Sequence, residues 1–123
     1  MKSVIGVSVA MVIAVVAIII MNGKINTEIN GIIDICERID LCDNVEQATF
    51  LTDDVVHQWS SIRGMLFAVL HHSDIDSVDL AMEVLLSAVE AADIDRIKAA
   101  VDTLAYHLED LLDTEQLSLE NIL

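Results

Sequence analysis

Residues 4–21 read VIGVSVAMVIAVVAIIIM and contain no charged side chain. Only Gly6 and Ser8 fall outside the apolar set in this stretch. As an α-helix, 18 residues cover roughly 27 Å, and their uncharged neighbours extend this length to the ~30 Å of a hydrocarbon core. The stretch therefore predicts one transmembrane helix within residues 1–23, with residues 4–21 in contact with the lipid bilayer.

A cleaved signal peptide is the alternative interpretation of the same residues. Such a peptide has a shorter apolar region, of about 7 to 15 residues, and ends at a small-x-small cleavage site. The apolar stretch here ends in the bulky residues 18–21 (IIIM), so an uncleaved signal anchor is favoured. A lipoprotein is excluded because the first cysteine, Cys36, lies too far downstream.

The charges that flank the apolar stretch predict its orientation. The α-amino group and Lys2 precede it, whereas Lys24 alone follows it before the first acid at Glu28. This slight bias favours an N-terminus inside and a C-terminal domain outside. We therefore expect a single-pass protein of the cell membrane whose C-terminal domain is extracytoplasmic.

Small residues recur at every fourth position of the predicted membrane helix, at Gly6, Ala10 and Ala14. Such a small-residue face lets two membrane helices approach closely. Alanine is also common in membrane helices without any packing role. If the face is used, the partner is another membrane protein or a second copy of the chain in a homodimer.

The remainder of the chain is strongly acidic and poor in aromatic residues. From residue 25 onward, 4 Lys and Arg stand against 21 Asp and Glu, which gives a net charge of −17. Such a surface repels phosphate groups, which argues against nucleic-acid binding. Aromatic residues make up 3% of the chain and proline is absent, so β-rich folds are disfavoured.

Downstream of the apolar stretch, apolar residues recur in steps of three and four within four segments, the spacing typical of helices that pack lengthwise. The predicted core positions are Ile25, Ile29, Ile32, Cys36 and Ile39, then Ala48, Leu51, Val55, Trp59, Ile62, Leu66 and Val69, then Ile75, Val78, Met82, Leu85, Val89 and Ala92, and finally Ile94, Ile97, Val101, Leu104, Leu108 and Leu111. We therefore predict an all-α fold, with an acidic helical bundle at residues 24–113. Residues 114–123 break the spacing and are predicted as a C-terminal tail of unassigned structure.

Polar residues mark the predicted helix starts, with Asp43 before the second helix, Ser73 before the third and Asp93 before the fourth. The connections are very short, and short connections make neighbouring helices antiparallel. The predicted architecture is an up-down-up-down four-helix bundle. We expect its first helix to continue from the membrane helix, with residues 22–23 as a candidate hinge. The alternative is a continuous membrane-distal hairpin stack in which the first helix stands partly apart.

Two cysteines, Cys36 and Cys42, fall outside the predicted membrane helix. A disulfide between them requires the helix to end between the two, because six helical residues rise about 9 Å. The favoured interpretation places Cys36 in the core as a small apolar residue and Cys42 at the turn.

The second junction concentrates candidate metal ligands at His71, His72, Asp74 and Asp76. Imidazole and carboxylate groups form a plausible metal site, but both are also favoured electrostatically at helix ends. The spacing does not match an EF-hand loop. We therefore predict no metal site and treat these four residues as weak candidates.

We expect no catalytic residue, no cofactor and no enzyme activity. None of the four histidines lies in a motif that indicates a catalytic triad, and His57 falls on the solvent side of the second helix. Trp59 is predicted to anchor the core, with Arg63 one turn later against its ring.

Several short motifs together resemble a family of bacterial membrane-anchored proteins, domain of unknown function 4363. They are the MKS start, Trp59, the HSDID junction at residues 72–76, the EAAD turn at residues 90–93 and the closing LENIL at residues 119–123. The resemblance implies an N-terminal helix followed by a helical domain. It implies no activity, substrate or catalytic residue.

The sequence thus favours a membrane-tethered helical module that interacts with, or scaffolds, a membrane or envelope partner protein. An extracytoplasmic four-helix domain that senses a ligand or cation is the alternative, because net acidity suits a cationic ligand. A metal-dependent enzyme is the third and weakest hypothesis.

Overall fold

The computed structural model describes the backbone of residues 2–70 and 72–122, and the side chains of residues 3–68, 70 and 72–114. This part of the chain forms four α-helices, α1 (Lys2–Asp40), α2 (Val45–Val69), α3 (His72–Glu90) and α4 (Ile94–Ile122). The predicted all-α fold is confirmed. Each helix is about as long as its apolar pattern predicts, except that α1 and α4 are longer.

The four helices pack as a bundle in chain order. Helix α1 packs against α2 and α4, and α3 packs against the same two helices from the opposite side. The connections span only residues 41–44, 70–71 and 91–93, so consecutive helices run antiparallel. The up-down-up-down bundle is therefore confirmed, and α1 is one of its four members rather than a helix standing apart.

Most of the core consists of the residues that the 3,4 spacing predicts, and further buried residues widen the stripes, namely Ile33, Ile35, Cys42, Ala81, Ala88 and Ala100. All five predicted positions of α1 are buried, as are the predicted positions of α2 from Ala48 to Leu66. The side chain of Val69, another predicted position, lies outside those that the structure describes. Among the described side chains, the predicted positions that are not buried lie where α3 passes into α4. Val89 and Ile94 are half-buried there, and Ala92 is exposed with a φ of 53°. Ala92 ends α3 in the left-handed conformation that closes many helices, so it does not face the core.

The helix starts agree with the sequence in one case of three. Asp93 caps α4, because its Oδ1 accepts bonds from the backbone N–H groups of Asp95 (3.1 Å) and Arg96 (3.3 Å). The assignment of Asp43 as the cap of α2 is wrong. Asn44 is the cap, and its Oδ1 lies 2.7 Å from the backbone nitrogen of Gln47. Helix α3 begins at His72, one residue before the predicted Ser73.

Helix α1 contains 39 residues and rises about 58 Å. It passes through residues 22–23 without a break, which confirms the predicted continuation of the helix from the apolar stretch. The candidate hinge therefore does not interrupt the helix. The backbone of Gly23 stays helical, and its carbonyl accepts a bond of 2.9 Å from the Thr27 hydroxyl. At the other end of the bundle, α4 continues through residues 114–122, which the sequence left unassigned.

Candidate functional site

The first half of α1, residues 4–21, is here called the apolar half, and it is exposed except at Ile18 and Met21, which are half-buried. It belongs to the one helix in the described part of the chain that is long and apolar enough to cross a membrane, and none of that window is buried in the protein. Its larger side chains are mostly exposed, for example Val4 (67%), Ile13 (63%) and Ile20 (67%). Burial begins within about one turn of Met21, at Ile25.

The small-residue face of the apolar half is open to the surroundings. Gly6, Ala10 and Ala14 are exposed, and a Cβ atom added at Gly6 would meet nothing within 4 Å. A neighbouring helix therefore has unobstructed access to this face. Its use in packing stays a prediction.

A polar cluster connects α2 and α3 at the edge of the core. The indole Nε1 of Trp59 donates to Asp79 Oδ1 at 2.8 Å. Arg63 binds the same carboxylate through Nε, at 3.0 and 2.9 Å, and through Nη2 at 2.7 Å. Such a bidentate pair is among the stronger polar contacts in proteins because both partners are charged and their geometry is fixed.

The Trp59–Arg63–Asp79 cluster lowers the pKa of its carboxyl group. Partial burial alone would raise the pKa of Asp79, but the bonds from Arg63 and Trp59 outweigh it and hold the pKa below its usual range. The predicted contact of Arg63 with the Trp59 ring is wrong. The Arg63 guanidinium lies over the ring of Phe67 instead, 4.6 Å from the ring centroid. Trp59 and Arg63 both bind the carboxylate of Asp79. This cluster stabilises the α2–α3 pair.

Two carboxyl groups meet where α1 ends. Burial, together with a hydrogen bond to Asp102 and the charge of that carboxylate on α4, raises the pKa of Asp40 to about 6. Lys98 opposes this shift and Glu37 adds to it. One proton or another cation relieves the repulsion between the two carboxylates.

Both cysteines are free and buried, and Cys36 lies in the core as the favoured interpretation predicted. Burial first, and then the charges of Asp40 and Asp102, raise the pKa of the Cys36 thiol to about 12. A thiol in this state is a poor nucleophile. Cys42 lies at the turn, and its Sγ donates to the carbonyl of Arg38 at 3.3 Å.

The weak metal candidates do not assemble into a ligand set. His71 lies outside the described residues, and His72 is exposed with its ring edge toward Phe67, at a centroid distance of 4.8 Å. Asp74 is half-buried and Asp76 is exposed in the first two turns of α3. Among the described side chains, at residues 3–68, 70 and 72–114, no three His, Cys, Asp or Glu residues come close enough to hold a metal ion together.

A groove between α3 and α4 was missed by the sequence reasoning. It is lined by Val84 and Ala88 from α3 and by Arg96, Ala99, Ala100 and Thr103 from α4. Leu80 and Val84, four residues apart, are 63% and 53% exposed, and Tyr106 on α4 is 67% exposed. The signal was present as a second apolar stripe on α3, one that does not coincide with the core stripe.

Comparison with known proteins identifies the chain by its family alone. No curated protein and no solved structure matches it. A family model described as Domain of unknown function (DUF4363) matches residues 17–122, a range that includes the whole bundle and only the last turn of the apolar half. Because the match covers most of the chain, the predicted resemblance is confirmed, and the protein belongs to the DUF4363 family.

Proposed function

We propose that the protein is a membrane-tethered helical interaction or scaffolding module that acts through a membrane or envelope partner protein. Residues 4–21 serve as its single-pass anchor, and the acidic bundle lies on the extracytoplasmic side. The continuity of α1 carries this proposal. One unbroken helix is exposed and apolar in its first half and forms a quarter of the bundle in its second half.

The exposed side chains of the apolar half supply the driving force for the anchor. Eleven large apolar residues between Val4 and Ile20 are at least 38% exposed. Burial of each such side chain is worth roughly 1.5 to 3 kcal/mol, so water is an unfavourable environment for this segment. A bilayer removes the apolar side chains from water, and the helix satisfies its own backbone hydrogen bonds.

The same continuity couples the anchor to the bundle. Helix α1 packs against both α2 and α4, and its buried residues start at Ile25, directly after the apolar half. A partner that positions the membrane segment therefore positions two further helices through one rigid element. Contact of this kind suits a scaffold or an adaptor.

An extracytoplasmic domain that senses a ligand or cation is the second candidate function. The Asp40–Asp102 carboxyl pair favours it, because a bound cation would relieve their mutual repulsion as a proton does. This pair joins α1 to α4, so its occupancy would alter the contact between the anchored helix and its neighbour.

The first experiment tests the anchor. The full chain would be expressed in bacteria, and membranes would be washed with alkaline carbonate before intact-mass analysis. We expect the protein to stay in the membrane pellet with residues 1–23 intact, and added protease to reach the bundle only from the extracytoplasmic side. A product that begins between residues 21 and 30 would show cleavage and a secreted domain.

The second experiment tests action through a membrane partner. Crosslinking yields would be compared for the wild-type chain, for the double variant Ala10→Leu with Ala14→Leu, and for a chain whose residues 4–21 are replaced by an unrelated apolar helix. We expect the wild type to capture a membrane protein and both variants to lose it while remaining inserted. Equal capture by all three would mean that the segment is only a tether.

A further inference from the structure

The bundle begins inside the apolar half, before the predicted end of the membrane helix. Isoleucines recur every seven residues along α1, at Ile18, Ile25, Ile32 and Ile39, so Ile18 lies on the stripe that faces the core. Ile18 is half-buried, whereas residues 3–17 are exposed, and Met21 packs against the core. The last turn of the apolar half therefore lies at the level where the bundle starts.

The junction of α2 and α3 lies at this same level. Helices α1 and α2 run antiparallel and are joined by residues 41–44, so residues equally far from that connection lie at similar heights. Ile18 comes 22 residues before the end of α1, and Phe67 comes 22 residues after the start of α2, which places both about 33 Å from the connection. With residues 4–21 in the hydrocarbon core, Phe67 lies at the outer boundary of that core, about 5 Å inside the level of Met21.

Acidic residues are missing from the sequence around this junction. Residues 55–73 contain no Asp or Glu over 19 positions, whereas the next longest acid-free run after residue 25 has six residues. Within this stretch, residues 64–70 read GMLFAVL and carry no polar side chain. Such a surface avoids both the cost of removing a carboxylate from water and the repulsion between carboxylates and anionic headgroups.

The side chains at the junction suit a boundary between hydrocarbon and water. Met65 and Phe67 are half-buried at the edge of the core, and Ala68 is exposed beside them. The Arg63 guanidinium lies over the Phe67 ring, and the ring of His72 meets the same ring edge to face. Aromatic rings with polar neighbours are enriched at the membrane–water interface, where long cationic side chains also reach the headgroups.

We propose that the α2–α3 junction, residues 64–70, is a second membrane contact, which lies in the headgroup region of the bilayer that holds the apolar half. This inference rests on the proposed anchor and adds a lipid contact outside it. The contact is confined to one side of the bundle. Acids return at Asp74 on α3, which runs back away from the bilayer, and Asp110 and Asp113 are exposed on α4. Together with α1, the junction holds the bundle at a fixed orientation to the membrane surface.

A series of fluorophore positions along α2 tests the contact in the full chain. Ser60, Gly64 and Ala68 are exposed at successive turns of α2, about 6 Å apart. Each would be replaced by Cys in a separate variant and labelled with an environment-sensitive maleimide dye. Ala91→Cys, an equally exposed position beyond the opposite end of α3, is the matched control. Both native cysteines are buried, so the wild-type chain should stay unlabelled.

Each labelled protein would be reconstituted in phosphatidylcholine vesicles whose headgroups carry a nitroxide quencher. We expect quenching to increase from Ser60→Cys through Gly64→Cys to Ala68→Cys, and to be roughly threefold or more stronger at Ala68→Cys than at Ala91→Cys. Iodide in the water should show the opposite order. Circular dichroism would verify helix content, and Gly64→Cys keeps the test valid if Ala68→Cys does not fold, because a Cβ atom at Gly64 meets nothing within 4 Å.

Two results would overturn the lipid contact. The first is equal headgroup quenching at the two ends of α3, or no gradient along α2. The second is protection of Ala68→Cys from both quenchers, because a protein rather than lipid would then cover the junction.

An alkaline carbonate wash of the same vesicles distinguishes this proposal from the proposed function. If the protein stays with the vesicles while Ala68→Cys shows no headgroup quenching, the second contact fails and the anchor stands. If the protein leaves the vesicles, both fail.

Discussion

The two halves of α1 are both rich in isoleucine and have opposite surroundings. Residues 4–21 are apolar on every side and mostly exposed, whereas residues 25–40 bury Ile25, Ile29 and Ile32 and expose Glu37. Isoleucine is frequent in both halves, so isoleucine content does not separate them. The charged residues separate the two halves. They confine the apolar residues of the second half to one stripe, which leaves water only when it packs against other helices.

The largest expected effect comes from truncating matched isoleucines in the two halves. Ile29→Ala should lower the free energy of unfolding of the bundle by about 2 to 5 kcal/mol, since Ile29 is fully buried and the change leaves a cavity. Ile13→Ala should change it by less than about 0.5 kcal/mol, because Ile13 is 63% exposed. Both would be measured by urea unfolding of the full chain in detergent micelles. Similar losses for the two variants would contradict the division of α1.

A second prediction concerns a contact that belongs to the bundle alone. Asp79→Asn should destabilise the bundle by about 1 to 2 kcal/mol near neutral pH, because it removes the charge that Arg63 and Trp59 bind. Asp79→Asn should not change the fraction of the protein that stays in the membrane pellet after an alkaline wash. Asp76→Asn is the control, since Asp76 is an exposed carboxylate on the same helix.

The destabilisation caused by Asp79→Asn should depend on pH. The folded-state pKa of Asp79 is lowered, so the folded chain holds this proton less tightly than the unfolded chain. Its stabilising contribution is therefore present above the ordinary carboxyl pKa of 3.8 and is lost as the pH falls toward the folded-state value. The difference between wild type and Asp79→Asn should shrink on acidification, and a constant difference would exclude the carboxylate charge as its cause.

The contribution of Asp40, the last residue of α1, to stability should change with pH in the opposite direction. The pKa of Asp40 rises from 3.8 to about 6, so the folded state binds this proton more tightly and stability falls as the pH increases across that range. Asp102→Asn removes one carboxylate of the pair and should stabilise the bundle by up to about 1 kcal/mol at pH 7, a small value because solvent screens the pair. At pH 4 the gain should vanish. Asp113→Asn, an exposed acid on α4, should give no such pH-dependent gain.

Much of the fold could be predicted because it depends on spacing. The buried positions of α1 and α2 follow directly from steps of three and four, and the short connections leave few ways to arrange four helices. The cap of α2 was predicted one residue early because Asp43 and Asn44 are both good caps, and only the backbone conformation decides between them. The hinge was predicted from Gly23, whose low helix propensity is overridden when the residues on both sides are helical.

Contacts between helices were harder to predict than the helices themselves. Arg63 and Asp79 lie 16 residues apart on different helices, and no spacing rule joins them. The Asp40–Asp102 pair likewise depends on the rotation of α1 relative to α4. The α3–α4 groove combines residues of two helices, none of which belongs to a recognised motif. The helices and their order could thus be predicted from local sequence patterns. The surface sites could not, because they depend on how the helices pack against one another.

The smallest expected effect lies at the boundary between the halves, at Gly23. A Cβ atom added there meets nothing within 4 Å, and the same holds at Gly64 within α2. Glycine to alanine in a helix interior stabilises by roughly 0.5 to 1 kcal/mol when the new methyl group is accommodated. If α1 folds as one element with the bundle, Gly23→Ala and Gly64→Ala should raise the free energy of unfolding by similar amounts in the urea experiment. A gain at Gly64 alone would mean that the helix around residue 23 does not form and unfold together with the bundle. The continuous α1 would then act as two elements joined at the boundary, and the coupling between anchor and bundle would be lost.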